Sequence, residues 1–275
     1  LAEFVEKGTT TTLELARNNP LNIFVKVYGI GAKKAQELLN KGYTSIEQLK
    51  SAVSNNEAIL NADGFGISWK KNLCVETYKS DLPIWNDMNL ISLCKSIYSN
   101  LVISNVRSAT IGKNIGYYNT HPFTYNSYFF SHNGYIKNFN DSIRNKLLKY
   151  LDLFFLNKIE GRTDSELIFY LILSCIKKTK NIKESIKQVC NIIRDNSNIS
   201  MLNFLFAEFS NNGKIKLYAT KMSYNINAPS LYYKKLNNHG YIVSSEKLDK
   251  NNWNKVKKNH LLEFTAKSIK IEKII

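Results

Sequence analysis

No stretch of the 275 residues reaches 18 consecutive apolar positions, so the sequence offers no obvious helix able to cross a bilayer. The opening LAEFVEKGTT also lacks the basic, apolar, small-residue order of an export signal. The expectation is a soluble, cytoplasmic protein with no membrane partner, with Leu1 not taken as the natural start. Cysteine is scarce as well. Cys74, Cys94, Cys175 and Cys190 form no C-x-x-C pair, which argues against a disulfide framework or a cysteine-rich metal site. All four are expected as buried free thiols. Acidic groups are in deficit, 22 against 38 lysines and arginines, giving a net charge of +16. Such a balance ordinarily suggests a polyanionic partner. Here the excess is diffuse: residues 1 to 60 carry 7 basic and 6 acidic groups, and the remaining 31 and 16 are spread among many asparagines and isoleucines. That pattern follows an AT-rich coding sequence as readily as selection for nucleic acid.

Two textures are present. Up to about Leu60 apolar residues recur at helical spacing in AKKAQELLNKGY and TSIEQLKSAV, with Gly29, Gly31 and Gly42 as punctuation. Thr44 or Ser45 is the expected cap of the second helix, with Glu47 and Gln48 in its first turn. From Asn61 onward short strands are predicted in GFGISW, LVISNV, SYFFS, NFLFAEF, KIKLYAT and YIVSSE, together with two helices in SELIFYLILSCIKK and NIKESIKQVCNIIRD. Strand groups bracketing helices predict an α+β layered domain over residues 61–275 behind a helical segment over residues 1–60.

In the first segment, Tyr28-Gly29-Ile30-Gly31-Ala32-Lys33-Lys34 places two glycines immediately before a helix. Glycine lets the backbone approach a phosphate, and the free N–H groups of a helix start carry partial positive charge. A turn between packed helices satisfies the same pattern. NIFVKVYGIGAKKAQELLNKGYTSIEQLK resembles the helix-hairpin-helix of family X DNA polymerases. The resemblance implies contact of Gly29, Gly31, Lys33 and Lys34 with a DNA backbone. It also implies a monovalent cation held by the carbonyls of Val25, Val27 and Ile30. No D-x-D pair follows, so polymerase chemistry is not implied.

Three features of the second segment have acid–base or binding character. Arg107 ends an apolar strand in NVRSAT, and a guanidinium fork suits a carboxylate. In His132-Asn133-Gly134 an aromatic strand meets Asn-Gly. This dipeptide favours a two-residue hairpin turn, and its amide and N–H groups could also converge on an oxyanion. Thr163-Asp164-Ser165-Glu166 precedes a long apolar helix, with Thr163 and Glu166 placed as a capping box and Asp164 left in the first turn.

Taken in order, NADGFGISW, PIWND, NVRSATIG, HPF, FSHNGYIKNF, GRTDSELIFYLIL, LNFLF, LYYKK and VSSEKLD resemble the class II glutamine amidotransferases. The nearest likeness is to their stand-alone γ-glutamyl hydrolase branch, and it covers residues 61–275. The resemblance implies Arg107 on the substrate α-carboxylate, Asp164 on its α-ammonium, and Asn133 with Gly134 as the oxyanion hole. It implies an αββα sandwich of the N-terminal-nucleophile type, a glutamine or γ-glutamyl ligand and no cofactor. His121 and His132 match family positions and are expected to make structural hydrogen bonds.

The family nucleophile is a chain-terminal cysteine whose own α-amine is the base. Neither that cysteine nor its strand is found in these 275 residues, so the sandwich is expected to be incomplete and amide hydrolysis close to absent. A glutamine-binding pseudoenzyme, a DNA-backbone binder and a non-catalytic fusion of two gene fragments are the alternatives the sequence leaves open.

Overall fold

A computed structural model describes residues 19–20, 32–54, 64–107, 116–236, 240–250 and 252–274. The chain divides into two compact units, Leu1–Asn61 and Ala62–Ile275.

In the first unit, helices α1 (Ala32–Asn40) and α2 (Ile46–Ser54) are joined by a short turn in which Gly42 takes φ +89°. A side chain rarely adopts that conformation, and this accounts for the glycine. Of the two candidate caps, Ser45 is the one used: its Oγ accepts the N–H of Gln48 (3.2 Å). The Gln48 side chain turns back to accept the N–H of Thr44 (2.8 Å). Ala35, Leu38 and Leu49 are buried.

The second unit is built around a seven-stranded antiparallel sheet. Its strands are β4 (Phe123–Tyr125), β5 (Tyr128–Ile136), β6 (Ser200–Phe209), β7 (Ile215–Lys221), the short β8 (Ser223–Tyr224), β12 (His260–Phe264) and β13 (Ile269–Lys273). They lie in the order β13-β12-β7-β6-β5-β4, with β8 paired to β6. Alternation along β5 and β6 sends Phe130, Ile136, Leu202, Phe204 and Phe206 to one face. That face is covered by α6 (Asp164–Thr179) and α7 (Ile182–Asn196). Most of α6 is buried, which is why its sequence is apolar nearly all round. Lys180, left-handed at φ 57°, ends α6, and the Asn181 side chain caps α7 by accepting the Glu184 N–H.

Residues of opposite parity face two small antiparallel sheets. Phe129, Ala207 and Phe209 pack with Leu101 and Ile103, just before and within β3, in the sheet β2-β1-β3 of β1 (Phe65–Lys71), β2 (Cys74–Ser80) and β3 (Val102–Val106). Ala219, Leu262 and Phe264 pack with Leu231 and Val256, from around the sheet β10-β9-β11 of β9 (Tyr232–Leu236), β10 (Gly240–Ser244) and β11 (Asn254–Lys255). Helices α3 (Leu90–Ser96), α4 (Asp141–Leu148) and α5 (Leu153–Leu156) complete the unit.

Each predicted strand and both long helices appear. Strands β2, β4, β8, β9, β11, β12 and β13 are not among the predicted ones; CVETYKS of β2 and IKIEK of β13 are polar, and each pairs with only one neighbouring strand. The cysteine expectation holds for two of four: Cys175 and Cys190 are buried, whereas Cys74 and Cys94 are exposed. All four are free thiols. Burial pushes the Cys190 thiol up to about 12.

Candidate functional site

His132, Asn133 and Gly134 do not form a turn. They lie within β5, paired with Phe204, Asn203 and Leu202 of β6. Cross-strand pairing on a packed sheet overrides the local turn preference of Asn-Gly. Gly134 is required there for a steric reason: a Cβ would collide with the Met201 carbonyl oxygen and the His132 imidazole. His132 folds over this glycine, bringing its Nε2 to within 2.9 Å of that same carbonyl. A carbonyl can only accept, so Nε2 carries a proton. Nδ1 lies 2.9 Å from the Ser165 hydroxyl at the start of α6.

Asp164 opens α6 and is buried. Its Oδ2 accepts the N–H of Ile136 (2.7 Å) and its Oδ1 the N–H of Ser165 (2.9 Å). The first bond ties the helix start to β5 two residues beyond Gly134. N–H groups two apart on a strand point to the same lateral side, so the Gly134 N–H emerges on the edge where Asp164 stands. β4 pairs with β5 only over Tyr128–Phe130, so among the described residues no strand covers that edge further along.

The expected capping box is half built. Thr163 Oγ1 accepts the Glu166 N–H (3.2 Å). Glu166, however, sends its carboxylate to the N–H groups of Glu160 and Gly161, both at 2.8 Å. It braces the incoming loop rather than closing the cap. The Asn119 side chain accepts the Arg162 N–H (3.3 Å) from the other direction.

Arg107 follows β3 directly, and its N–H extends the ladder to the Gly64 carbonyl (2.9 Å). His121 is buried and is joined to Pro122 by a cis peptide bond. Burial, reinforced by the charge His132 carries when protonated and by those of Lys79 and Arg107, holds its imidazole well below the usual histidine range. The expectation of a structural hydrogen bond is met by His132 and not by the Nδ1 of His121, which is buried without a partner among the described residues.

Two further groups were not singled out from the sequence. Lys79 on β2 lies with its ammonium over the rings of Tyr117 (5.4 Å) and Phe123 (5.2 Å). Burial pushes it down to about 8, against the pull of Glu166 and Glu160. Asn203 faces Asn133 across the β5–β6 ladder and donates to the Pro229 carbonyl (3.0 Å). No sequence signal marks either, since a lysine on an alternating strand reads as solvated and an asparagine in LNFLF as an edge residue.

The cysteines lie elsewhere. Cys74 pairs with Lys71 at the far end of the β1–β2 hairpin from Gly64 and Arg107, roughly 20 Å along seven residues of strand. Cys175 lies about three turns down α6 from Asp164. Cys190 is in the core, and Cys94 is exposed on α3. Among the described residues no cluster of His, Cys, Asp and Glu could hold a metal ion, and no helix is long and apolar enough to cross a membrane. Lys33 and Lys34 lie in α1. Gly29, Gly31, Val25, Val27 and Ile30 are outside the described residues.

Comparison with known proteins gives two family matches. Residues 47–220 match the glutamine amidotransferases class-II, and residues 22–62 match the fingers domain of DNA polymerase lambda. Among curated proteins, the chain is 35% identical over 154 residues to the probable glutamine amidotransferase DUG3 of Saccharomyces cerevisiae, covering 53% of this chain and 41% of that one. It is 33% identical over 66 residues to the gamma-glutamyl-hercynylcysteine sulfoxide hydrolase of Mycobacterium tuberculosis, covering 24% of this chain and 28% of that one. The chain thus spans less than half the length of either relative. Among solved structures, a glutamine aminotransferase class-II domain protein from Silicibacter pomeroyi superimposes with TM-score 0.61 at 25% identity, over 76% of this chain and 90% of that one. The glutamine phosphoribosylpyrophosphate amidotransferase of Bacillus subtilis shares the fold, with TM-score 0.57 at 18% identity over 78% of this chain and 44% of that one.

Proposed function

Because the chain belongs to the class-II glutamine amidotransferases, we propose that residues 61–275 form an incomplete αββα sandwich that binds glutamine or a γ-glutamyl amide. In this reading Arg107 takes the α-carboxylate as a bidentate fork and Asp164 takes the α-ammonium. The Asn133 side chain and the Gly134 N–H face the amide oxygen, where a tetrahedral intermediate would carry its charge. The observation that carries the reading is the bond from the Ile136 N–H to Asp164 Oδ2. It sets a carboxylate on the same edge of β5 as the Gly134 N–H, so one ligand can meet both.

The nucleophile that the family resemblance implies is a cysteine thiol beside a free α-amine. None of the four cysteines stands on the described edge of β5, so these residues bind the amide far faster than they cleave it. Calorimetry with glutamine on the native chain and on Asp164→Ala, alongside an ammonia-release assay, tests both parts. Equal heats from the two proteins would remove the binding reading, and release at ordinary enzymatic turnover would remove the disarmed site.

A second reading concerns residues 1–60, favoured by the match over residues 22–62 and by the helix pair α1 and α2. A helix-hairpin-helix there would dock on a DNA backbone through Gly29, Gly31, Lys33 and Lys34. Binding to gapped duplex that weakens steeply with salt is the expected result. Absent or salt-insensitive binding would leave this segment as a fused helical fragment.

A further inference from the structure

We infer that His132 is a positioning residue for the ammonium site, acting on Asp164 through the hydroxyl of Ser165. The inference rests on the glutamine-binding reading above.

The geometry is a chain of three side chains. Ser165 Oγ lies 2.9 Å from His132 Nδ1 and 3.5 Å from Asp164 Oδ1. A hydroxyl has one proton to give, so it can donate to only one of these at a time. His132 decides which. In this inference the ring holds one proton, on Nε2 and directed at the Met201 carbonyl at 2.9 Å, so Nδ1 is an acceptor. The Ser165 proton therefore points at the imidazole, and its distance to Asp164 is long for an O–H donor.

The consequence falls on Asp164. Backbone N–H groups already occupy one position on each of its oxygens, from Ile136 on Oδ2 and Ser165 on Oδ1. A carboxylate has about four acceptor positions in all, so what remains is just enough to receive an ammonium. A third donor would compete directly with the ligand and reduce the local negative charge. By holding the Ser165 proton, His132 keeps those positions open. The same ring packs over Gly134, so one side chain sets the register of the candidate oxyanion donor and the availability of the candidate ammonium acceptor.

The test compares glutamine with 4-carbamoylbutanoic acid, which is glutamine without its α-ammonium, by calorimetry on the full chain. The native protein should prefer glutamine by more than tenfold. His132→Leu frees the Ser165 hydroxyl to turn to Asp164, and the preference should fall at least fivefold; a change at Gly134 weakens both ligands alike and leaves their ratio unmoved. The double variant His132→Leu with Ser165→Ala removes the competing proton and should restore the native preference. A purely structural histidine gives no such rescue, so a double variant no better than His132→Leu would overturn the inference. Ser165→Ala alone should keep the native preference; a loss there would mean that the serine serves Asp164 directly, and would also overturn it. This single variant keeps the test decisive if His132→Leu does not fold. A native protein that fails to prefer glutamine would instead show that Asp164 is not the ammonium partner, and the glutamine-binding reading itself would fall.

Discussion

Asp164 and Ile136 stand 28 positions apart and are joined by a 2.7 Å hydrogen bond from main-chain N–H to carboxylate. This bond fastens the start of α6 to β5, so the carboxylate proposed to meet a ligand's ammonium also ties a helix to the sheet. Asp164→Asn is therefore not a mild change. An amide has one acceptor oxygen, and its NH2 must then confront either the Ile136 or the Ser165 N–H. A loss of roughly 2 kcal/mol in unfolding free energy is expected from the unmade bond. Denaturant unfolding measures it, and glutamine binding should disappear in parallel.

Arg107→Lys keeps the charge and removes the fork. If the guanidinium grips a carboxylate at two points, glutamine affinity falls by about tenfold with little change in melting temperature. Titration calorimetry gives the number, and unaltered affinity would place the substrate carboxylate elsewhere.

Lys79 carries a stability signature on the alkaline side. Its folded pKa of about 8 lies below the ordinary lysine value, so the unfolded chain binds the proton more tightly. Burying the charge opposes folding below pH 8, and that opposition fades as pH rises toward the unfolded lysine value of about 10.4. Lys79→Met, which keeps an apolar stem between Tyr117 and Phe123, should melt higher than the native protein at pH 7. The gap should narrow between pH 8 and 10, and a constant gap would exclude titration of Lys79 as the cause.

Glu272 has the opposite sign. Lys183 (2.5 Å) and Lys187 (2.9 Å) hold its carboxyl down to about 2, fastening β13 to α7. The stabilisation is complete above the unfolded carboxylate value near 4.3 and is lost as pH falls through 2. Glu272→Gln should cost about 1 kcal/mol at pH 7, allowing for solvent screening of a partly exposed network. Melting curves at pH 7 and pH 2 should differ between the two proteins at the first and coincide at the second.

How much of this is legible in the sequence depends on the range of the interaction. Helix α6 and strands β1, β3, β5, β6 and β7 were visible because apolar periodicity is a local signal that burial preserves. A cap at Thr44 or Ser45 is legible for the same reason, and the structure uses Ser45. The turn preference of Asn133-Gly134 is not realised, because pairing with Asn203 and Leu202 of β6, some 70 residues away in sequence, decides its conformation. Glu166 was assigned to its own helix cap because nothing within four residues reveals that Glu160 and Gly161 would present their N–H groups to it. The polar strand β2, which brings Lys79 beneath two aromatic rings, has no hydrophobic pattern to detect. Local grammar fixes elements; what each side chain meets is decided by the packing of distant ones.

The absence of room beside Gly134 bears on how any mutational survey of this protein should be interpreted. A methyl group there strikes the Met201 oxygen and displaces the His132 ring, so even alanine disturbs the packing between β5 and α6. Inactive variants at position 134 would report damaged architecture and would say nothing about whether its amide proton steadies a developing negative charge. Neighbouring Asn133, whose side chain is exposed, is the position at which that question can be asked without breaking the scaffold.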